Sequence, residues 1–496
     1  MENKFNLVEE KWVPIQGGDR ISLIDIFQNG KQLNNIGGNP IEKISIFKFL
    51  LAVVHSAYTP KDNEDWRNIG IDGMSKKVLE YLDKNKNLFY LYGEKPFLQF
   101  PKIAQSKKKN ISILEPYKIP TPKTKDDEAI NTTVLTEIQK EVKYSDSEKS
   151  VLLITNLNFA LGGKKVDNSI ILTKGYEKTK SAKSGYSLGR SYLHSFILAE
   201  NILKTIYINW FSQEQIKELK TIENIGTPPW EKMPQSEDDE VAKELKKSYL
   251  GMLVPFSRFI LIDGDYINYT EGFYPTEKDL TINRKISKGK EQIVKADPNK
   301  KPWRELISML SFVLTSNNSE NKTESLQLKY SIERLKKFGS VNEIIIYSGG
   351  LNVTNKAGED FVSGDCDFVE SEVKLNLKWL GDIWFNNLKT EMKKLDSYSK
   401  ILWSCVNDYY LDLKDANHKE IANKSSNVFW QLMEKEFNNI LEVCNLEENK
   451  YQDEINKINK KIFSIVCDVY DGFCPKDSAK QIESWIKSRP NFKREE

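Results

Sequence analysis

The chain has 496 residues, 39% of them hydrophobic and 11% aromatic, with ten tryptophans. That length exceeds one compact core, so two or more domains are expected, and the composition excludes a disordered protein. Lys and Arg (73) nearly balance Asp and Glu (71), a formal net charge of +2 that excludes a global basic field. Any contact with nucleic acid must then rest on local patches, or on a partner that already holds it.

The opening MENKFNLVEEKWVPI lacks the basic and apolar regions of a signal peptide. The longest apolar stretch, 44–54, is too short to span a bilayer and is interrupted by Lys48. A cytoplasmic protein without membrane contact is expected. The five cysteines (Cys366, Cys405, Cys444, Cys467, Cys474) contain no C-x-x-C pair and there are only three histidines, so buried thiols are expected rather than a zinc site or disulfides.

In chain order, residues 5–15 read as a strand-like segment around Trp12-Val13-Pro14. Residues 22–27 follow, and then 41–58, where Ile44, Phe47, Leu50, Leu51, Val54 and Ala57 keep the spacing of a buried helix. A further helix is expected around 74–83, then apolar segments at 88–92 and 96–100. From 102 to 150 the texture changes to Lys107-Lys108-Lys109, three prolines and a charged run with one apolar island, Val134-Leu135, which reads as a long, partly mobile excursion. Order resumes at 151–154, followed by a Gly162-Gly163 turn, a Lys/Ser-rich loop and a helix over 191–211. Residues 253–262 and 279–295 read as strands and 302–314 as a helix.

Two stretches are locally basic: 163–190 carries seven basic side chains against two acids, and 278–301 carries eight against three. Each is either a solvated surface or a phosphate-contacting patch. The run 343–347 predicts a buried strand stopping at Gly349-Gly350, where a sharp turn opens into a polar tip at 352–356. From 369 to 487 the pattern is helical, with helices expected at 379–395, 399–413, 427–443 and 451–470. The fold class expected is α+β: a large mixed N-terminal domain, 1–364, followed by a C-terminal four-helix bundle, 365–496.

Catalytic signals are weak. Gly185-Tyr186-Ser187-Leu188-Gly189 matches the G-x-S-x-G nucleophile elbow, so a serine hydrolase using Ser187 is one alternative, but no hydrophobic strand precedes the serine. Gly162-Gly163-Lys164-Lys165 lacks the remainder of a phosphate-binding P-loop, and Val166 stands where a Mg²⁺-binding hydroxyl would be needed. His55, His194 and His418 have no companions at metal-ligand spacing. Two Gly-Gly segments leading into polar or basic residues suit a polymer-contacting surface better than a reacting site.

Taken together, the segments resemble the large subunit of the type I-E CRISPR Cascade complex, the CasA family. The residues carrying the resemblance are Phe5-Asn6-Leu7, Trp12-Val13-Pro14-Ile15, Ser22-Leu23 with Phe27, the helix ending Leu50-Leu51-Ala52-Val53-Val54-His55, and Lys95-Pro96-Phe97-Leu98-Gln99. To these are added Ala129 to Leu135, Leu161-Gly162-Gly163, Pro302-Trp303-Arg304, Tyr347 to Leu351 and the C-terminal bundle. The similarity spans essentially the whole chain, carried by order and spacing rather than by one diagnostic motif.

The resemblance implies a non-enzymatic subunit without a cofactor; the zinc-like cysteine cluster of some relatives is absent from this sequence, so no structural metal is expected. Such a subunit would read the protospacer-adjacent motif (PAM) from the minor groove of target duplex DNA and start unwinding. It implies as partners the 5′ handle of a CRISPR guide RNA, the backbone and small Cascade subunits, and a helicase-nuclease or a nuclease fused to another subunit. By position, Leu161, Gly162, Gly163 and Lys164 would form the family's PAM glycine loop. Thr354, Asn355 and Lys356 would form its strand-separating wedge, with asparagine where relatives present glutamine. Asn131, Thr132, Val134 and Leu135 would dock on guide RNA and backbone subunits, and Arg284, Lys285 and Lys288 would lead the displaced strand away. No lysine lies between Arg258 and Lys278, so either Lys278 supplies the family's basic finger or that finger is missing.

Overall fold

The computed structural model describes residues 3–105, 111–112, 144–159, 191–219, 222–264, 266–273, 279–287, 290–314, 323–338, 342–356, 359–362 and 367–490. Helices dominate, with small antiparallel sheets, and the chain divides into two compact units. The first comprises Met1–Leu310 with Glu320–Glu372, and the second Ser311–Ser319 with Val373–Glu496.

The first unit is built around the helix Pro40–Ala57. Its start is set locally: the Asn39 side chain accepts from the Glu42 N–H, Glu42 reaches back to the Asn39 N–H, and Pro40 fills the first turn, where no N–H is needed. Neighbouring segments cover it on most sides. Phe49 meets the rings of Trp12, Phe97 and Trp230, and Phe47 stacks on Phe196 with centroids 3.9 Å apart. The helix therefore buries polar Ser45, Lys48 and His55 along with its apolar residues, and each of them needs an internal partner.

Several expected elements differ. The stretch 191–211 is not one helix but a strand, His194–Leu198, followed by a helix, Ile202–Asn209, capped by the Asn201 side chain on the Lys204 N–H. Pairing with the strand Glu343–Leu351 decides this, since the apolar run alone suits either state. Residues 302–314 break into short 3-10 and α turns, and the helix Leu326–Phe338 carries no expectation from the sequence reading. Ordered helix begins earlier than expected, at Asp146, where Ser145 and Glu148 form a capping box. The strand Phe368–Asn376 interrupts the stretch read as helical; its buried residues Val369, Ser371, Val373 and Leu375 alternate with more exposed ones, as a strand requires.

The turn expected at Gly349-Gly350 is also corrected: the strand Glu343–Leu351 runs straight through both glycines, and neither has positive φ. Their role is close approach. A Cβ on Gly349 would meet the Tyr347 hydroxyl at 2.5 Å, because that ring lies along the strand to reach Glu370. A Cβ on Gly350 would meet the Tyr192 carbonyl oxygen at 2.5 Å and the Ala296 methyl at 3.0 Å. Gly350→Ala is therefore expected to cost about 1–3 kcal/mol through forced strand separation, read as a lower urea midpoint with unchanged slope.

The second unit carries the helices Asp382–Asp412, His418–Val443, Glu448–Phe473 and Ala479–Ser488. The stretches 379–395 and 399–413 prove to be one helix, with Ser399 buried in it. Side chain to main chain bonds tie helix to helix: Trp384 Nε1 donates to the Leu441 carbonyl (3.0 Å) and the Tyr470 hydroxyl to the Trp485 carbonyl (3.0 Å). Burial pushes the Cys405 thiol up to about 11 and Cys444 and Cys474 to about 12, so these thiols stay protonated and unreactive near neutral pH. No helix among the described residues is long and apolar enough to cross a membrane.

Candidate nucleic-acid interface

The segment Ser191–Leu198 forms the root of the candidate site. Along one edge it pairs with Glu343–Leu351, Tyr347 opposite Phe196 and Gly349 opposite His194. Along the other it takes main-chain bonds from two converging stretches: Ser195 N–H donates to the Thr281 carbonyl (2.7 Å), Asn283 N–H to the Leu193 carbonyl (3.0 Å) and Leu193 N–H to the Val294 carbonyl (2.9 Å).

Each edge continues into a hairpin. Beyond Asn283 the chain enters Arg284–Ser287, which pairs with Lys290–Ile293 and with Thr323–Glu324. Beyond Leu351 it enters Thr354–Lys356, paired with Glu359–Phe361. The base of this second hairpin is pinned twice. Asn352 bonds Asp367 through both main chain (2.9 Å) and side chain (3.0 Å), and Ser191 Oγ accepts from the Val353 N–H (2.6 Å) while donating to the Val353 carbonyl (3.1 Å). Ser191 holds φ at +55° to make this contact, an uncommon conformation for a residue with a side chain.

The structure thus places two of the expected site groups on one ribbon. Thr354 is exposed, and Thr354, Asn355 and Lys356 form one arm of the hairpin, paired with Glu359–Phe361. Arg284 and Lys285 open the basic hairpin. Lys278, Lys288, the glycine loop Leu161, Gly162, Gly163 and Lys164, the docking residues Asn131, Thr132, Val134 and Leu135, and Ser187 lie outside the described residues. The flanks of 160–190 do lie at the root: the Phe159 ring meets the His194 ring edge-on at 5.3 Å, and Ser191 is the anchor just described.

Both faces of the ribbon are locked by buried polar groups that the sequence reading did not single out. On one face Ser195 Oγ and Ser348 Oγ lie 2.6 Å apart and Asn283 Nδ2 donates to Ser195 Oγ (2.8 Å). On the other, Thr281 Oγ1 donates to Asp279 Oδ1 (2.8 Å) and lies 2.7 Å from His194 Nδ1. The threonine proton is committed to a carboxylate that can only accept, so His194 Nδ1 carries the proton and donates to Thr281. Lys48, on the central helix, closes the chain: its Nζ donates to Asn158 Oδ1 (2.6 Å) and lies 2.5 Å from Asp279 Oδ2, a Coulombic contact without hydrogen-bond alignment.

Lys48 and Asp279 are almost wholly buried, at 0% and 4% side-chain exposure. Burial works to raise Asp279, but Lys48, His194 and the Thr281 N–H outweigh it and hold the carboxyl below its ordinary value; burial lowers Lys48 against the pull of Asp279. The available signal in the sequence is Lys48 itself, one charge inside an apolar helix. Among the described residues no group of three or more His, Cys, Asp or Glu could hold a metal ion. The arrangement carries two hairpins on one ribbon, which suits contact with a polymer.

The family model for CRISPR-associated protein Cse1 matches residues 6–469. The chain belongs to the Cse1 family. A curated relative, CRISPR-associated protein CasA/Cse1 of Thermus thermophilus, is 31% identical over 106 residues, a match covering 19% of this chain and 21% of the relative. The chain therefore aligns over about a fifth of that curated relative's length. At the level of fold, Thermus thermophilus CasA (Cse1) superposes with a TM-score of 0.69 at 16% identity, covering 98% of both chains. Thermobifida fusca Cse1 gives 0.70 at 15% identity, covering 98% of this chain and 94% of that one. A chain of a structure described as a CRISPR RNA-guided surveillance complex gives 0.67 at 13%, covering 98% of both. These likenesses bear out the expected mixed fold with helices at its C-terminal end.

Proposed function

We propose that this chain is the non-catalytic DNA-recognition subunit of an RNA-guided CRISPR surveillance complex. It reads the PAM from the minor groove through Leu161, Gly162, Gly163 and Lys164, and parts the first base pairs with Thr354, Asn355 and Lys356. It guides the displaced strand along Arg284, Lys285 and Lys288, with Lys278 as the candidate basic finger, and it presents a surface to the nuclease partner. Asn131, Thr132, Val134 and Leu135 dock it on the guide-RNA handle and the backbone subunits. The Cse1-family match over 6–469 carries this reading, and the common rooting of the two hairpins on Ser191–Leu198 supports it. Guide pairing supplies most sequence specificity, so the protein needs only short-range groove and backbone contacts, as in other RNA-guided systems.

The test is reconstitution with guide RNA and the remaining subunits, followed by target-duplex binding and opening. Gly163→Asp places a carboxylate against the DNA backbone and is expected to weaken binding of PAM-containing duplex at least about tenfold, on the order of 1.4 kcal/mol. Asn355→Ala is expected to bind nearly normally but to open the duplex more slowly. Normal binding by Gly163→Asp would remove the glycine-loop assignment, and wild-type opening by Asn355→Ala would remove the wedge. A purely structural scaffold would show neither effect at any flanking sequence.

A further inference from the structure

We infer that Lys48 is a positioning residue for nucleic-acid contact: from inside the central helix it fastens the Asp279–Asn283 stretch to the root ribbon and so sets where the basic hairpin projects. The inference rests on the function proposed above and deepens it. Main-chain bonds to Ser191–Leu198 come from Thr281 and Asn283, just before the Arg284–Ser287 strand, and from Val294 and Ala296, just after Ile293, so the residues flanking the basic hairpin hold it to the ribbon. Residues 279–283 carry the polar chain from Lys48 through Asp279 and Thr281 to His194, and Asn283, the last of them, bonds Ser195 on the opposite face. The other hand of Lys48 holds Asn158, the last residue of the helix Asp146–Asn158, beside the Phe159 ring that packs on His194.

One ammonium group thus joins three segments separated in sequence by more than a hundred residues at each step, at the point where they meet the ribbon. A buried charge is a costly way to gain stability, since an apolar side chain of similar volume would fill the same space without desolvation. It is an effective way to fix register, because a displaced Asp279 would leave two charges unpaired in the core. A shift along the ribbon by one residue would also turn the Arg284 side chain to the other face.

The test separates position from stability. In the reconstituted complex, binding of a guide-matched duplex is measured across salt concentrations for wild type, Arg284→Ala, the neutral pair Lys48→Gln/Asp279→Asn, and the triple variant. Arg284→Ala is expected to lower the slope of log K against log salt by about one, the loss of one phosphate contact. The neutral pair, checked by circular dichroism and gel filtration to be folded and assembled, is expected to show the same lowered slope, and adding Arg284→Ala to it to lower the slope no further. Thr281→Val, which keeps shape and both charges but cuts the Asp279–His194 link, is expected to fall between wild type and the pair. A role in stability alone would lower the melting temperature while leaving the slope and the effect of Arg284→Ala intact, and that result overturns the inference. So does an Arg284→Ala slope equal to wild type. Duplex binding by wild type that is insensitive to guide match would instead remove the underlying function.

Discussion

Asp279→Asn is expected to destabilise the first unit by about 3–5 kcal/mol, because it strands the buried Lys48 ammonium with only Asn158 and an amide for company. Urea unfolding of the full chain, followed by fluorescence of the ten tryptophans, reads this as a lowered midpoint. Adding Lys48→Gln removes the stranded charge and should return most of the loss, giving a coupling energy of about 2 kcal/mol or more in the double-mutant cycle. A single-mutant loss below about 1 kcal/mol would place the pair among exposed salt bridges, contrary to its burial.

Acid should unfold the first unit well before bulk carboxylate protonation accounts for it, and His55 is the main reason. Its ring is fully buried and held neutral, its pKa lowered to about 3 first by burial and then by the Arg334 guanidinium. Thr59 donates its hydroxyl proton to the His55 carbonyl (3.2 Å), so His55 Nδ1–H donates to Thr59 Oγ1 (3.0 Å), leaving Nε2 buried without a hydrogen-bond partner near the Tyr249 ring. In the unfolded chain the imidazole titrates near its ordinary 6.5. Between those two values the unfolded state takes up a proton that the folded state refuses, so stability falls as pH falls through this window, by on the order of 4 kcal/mol at its lower limit. Asp279, held low when folded, loses its contribution in the same direction at the acid end. The groups facing His55 do not reverse this: burial raises Tyr249, which stays neutral, and Arg334, lowered to about 9 by burial, stays charged. His55→Gln should therefore show a flatter loss of stability between pH 6.5 and 4, whatever its stability at pH 7. Parallel pH profiles for variant and wild type would show that His55 protonates freely in the folded state.

Much of the architecture was legible because it follows from local rules. The central helix announces itself through the period of Ile44, Phe47, Leu50, Leu51 and Val54, and the bundle through long helical periods with few breakers. Less legible were segments whose state depends on a distant partner. Residues 194–198 are apolar enough for helix or strand, and they become a strand because 343–351, whose first half reads as a strand by itself, lies beside them. Gly349-Gly350 reads locally as a turn signal; only the approach of the Tyr192 carbonyl shows why glycine is needed in extended backbone.

The candidate site divides in the same way. Composition and motif order by themselves determined the broad class: a large α+β chain of near-zero net charge, without a convincing catalytic constellation, resembling the family whose model in fact matches it. The tertiary structure alone decided that Arg284-Lys285 and Thr354-Asn355-Lys356, seventy residues apart in sequence, spring from opposite edges of one ribbon. It alone turned Lys48 from an interruption in an apolar run into the partner of Asp279 and Asn158. The physical reason is that periodicity and capping act over a few residues, whereas a buried charge or a shared strand edge is defined by groups that meet only when the chain has folded.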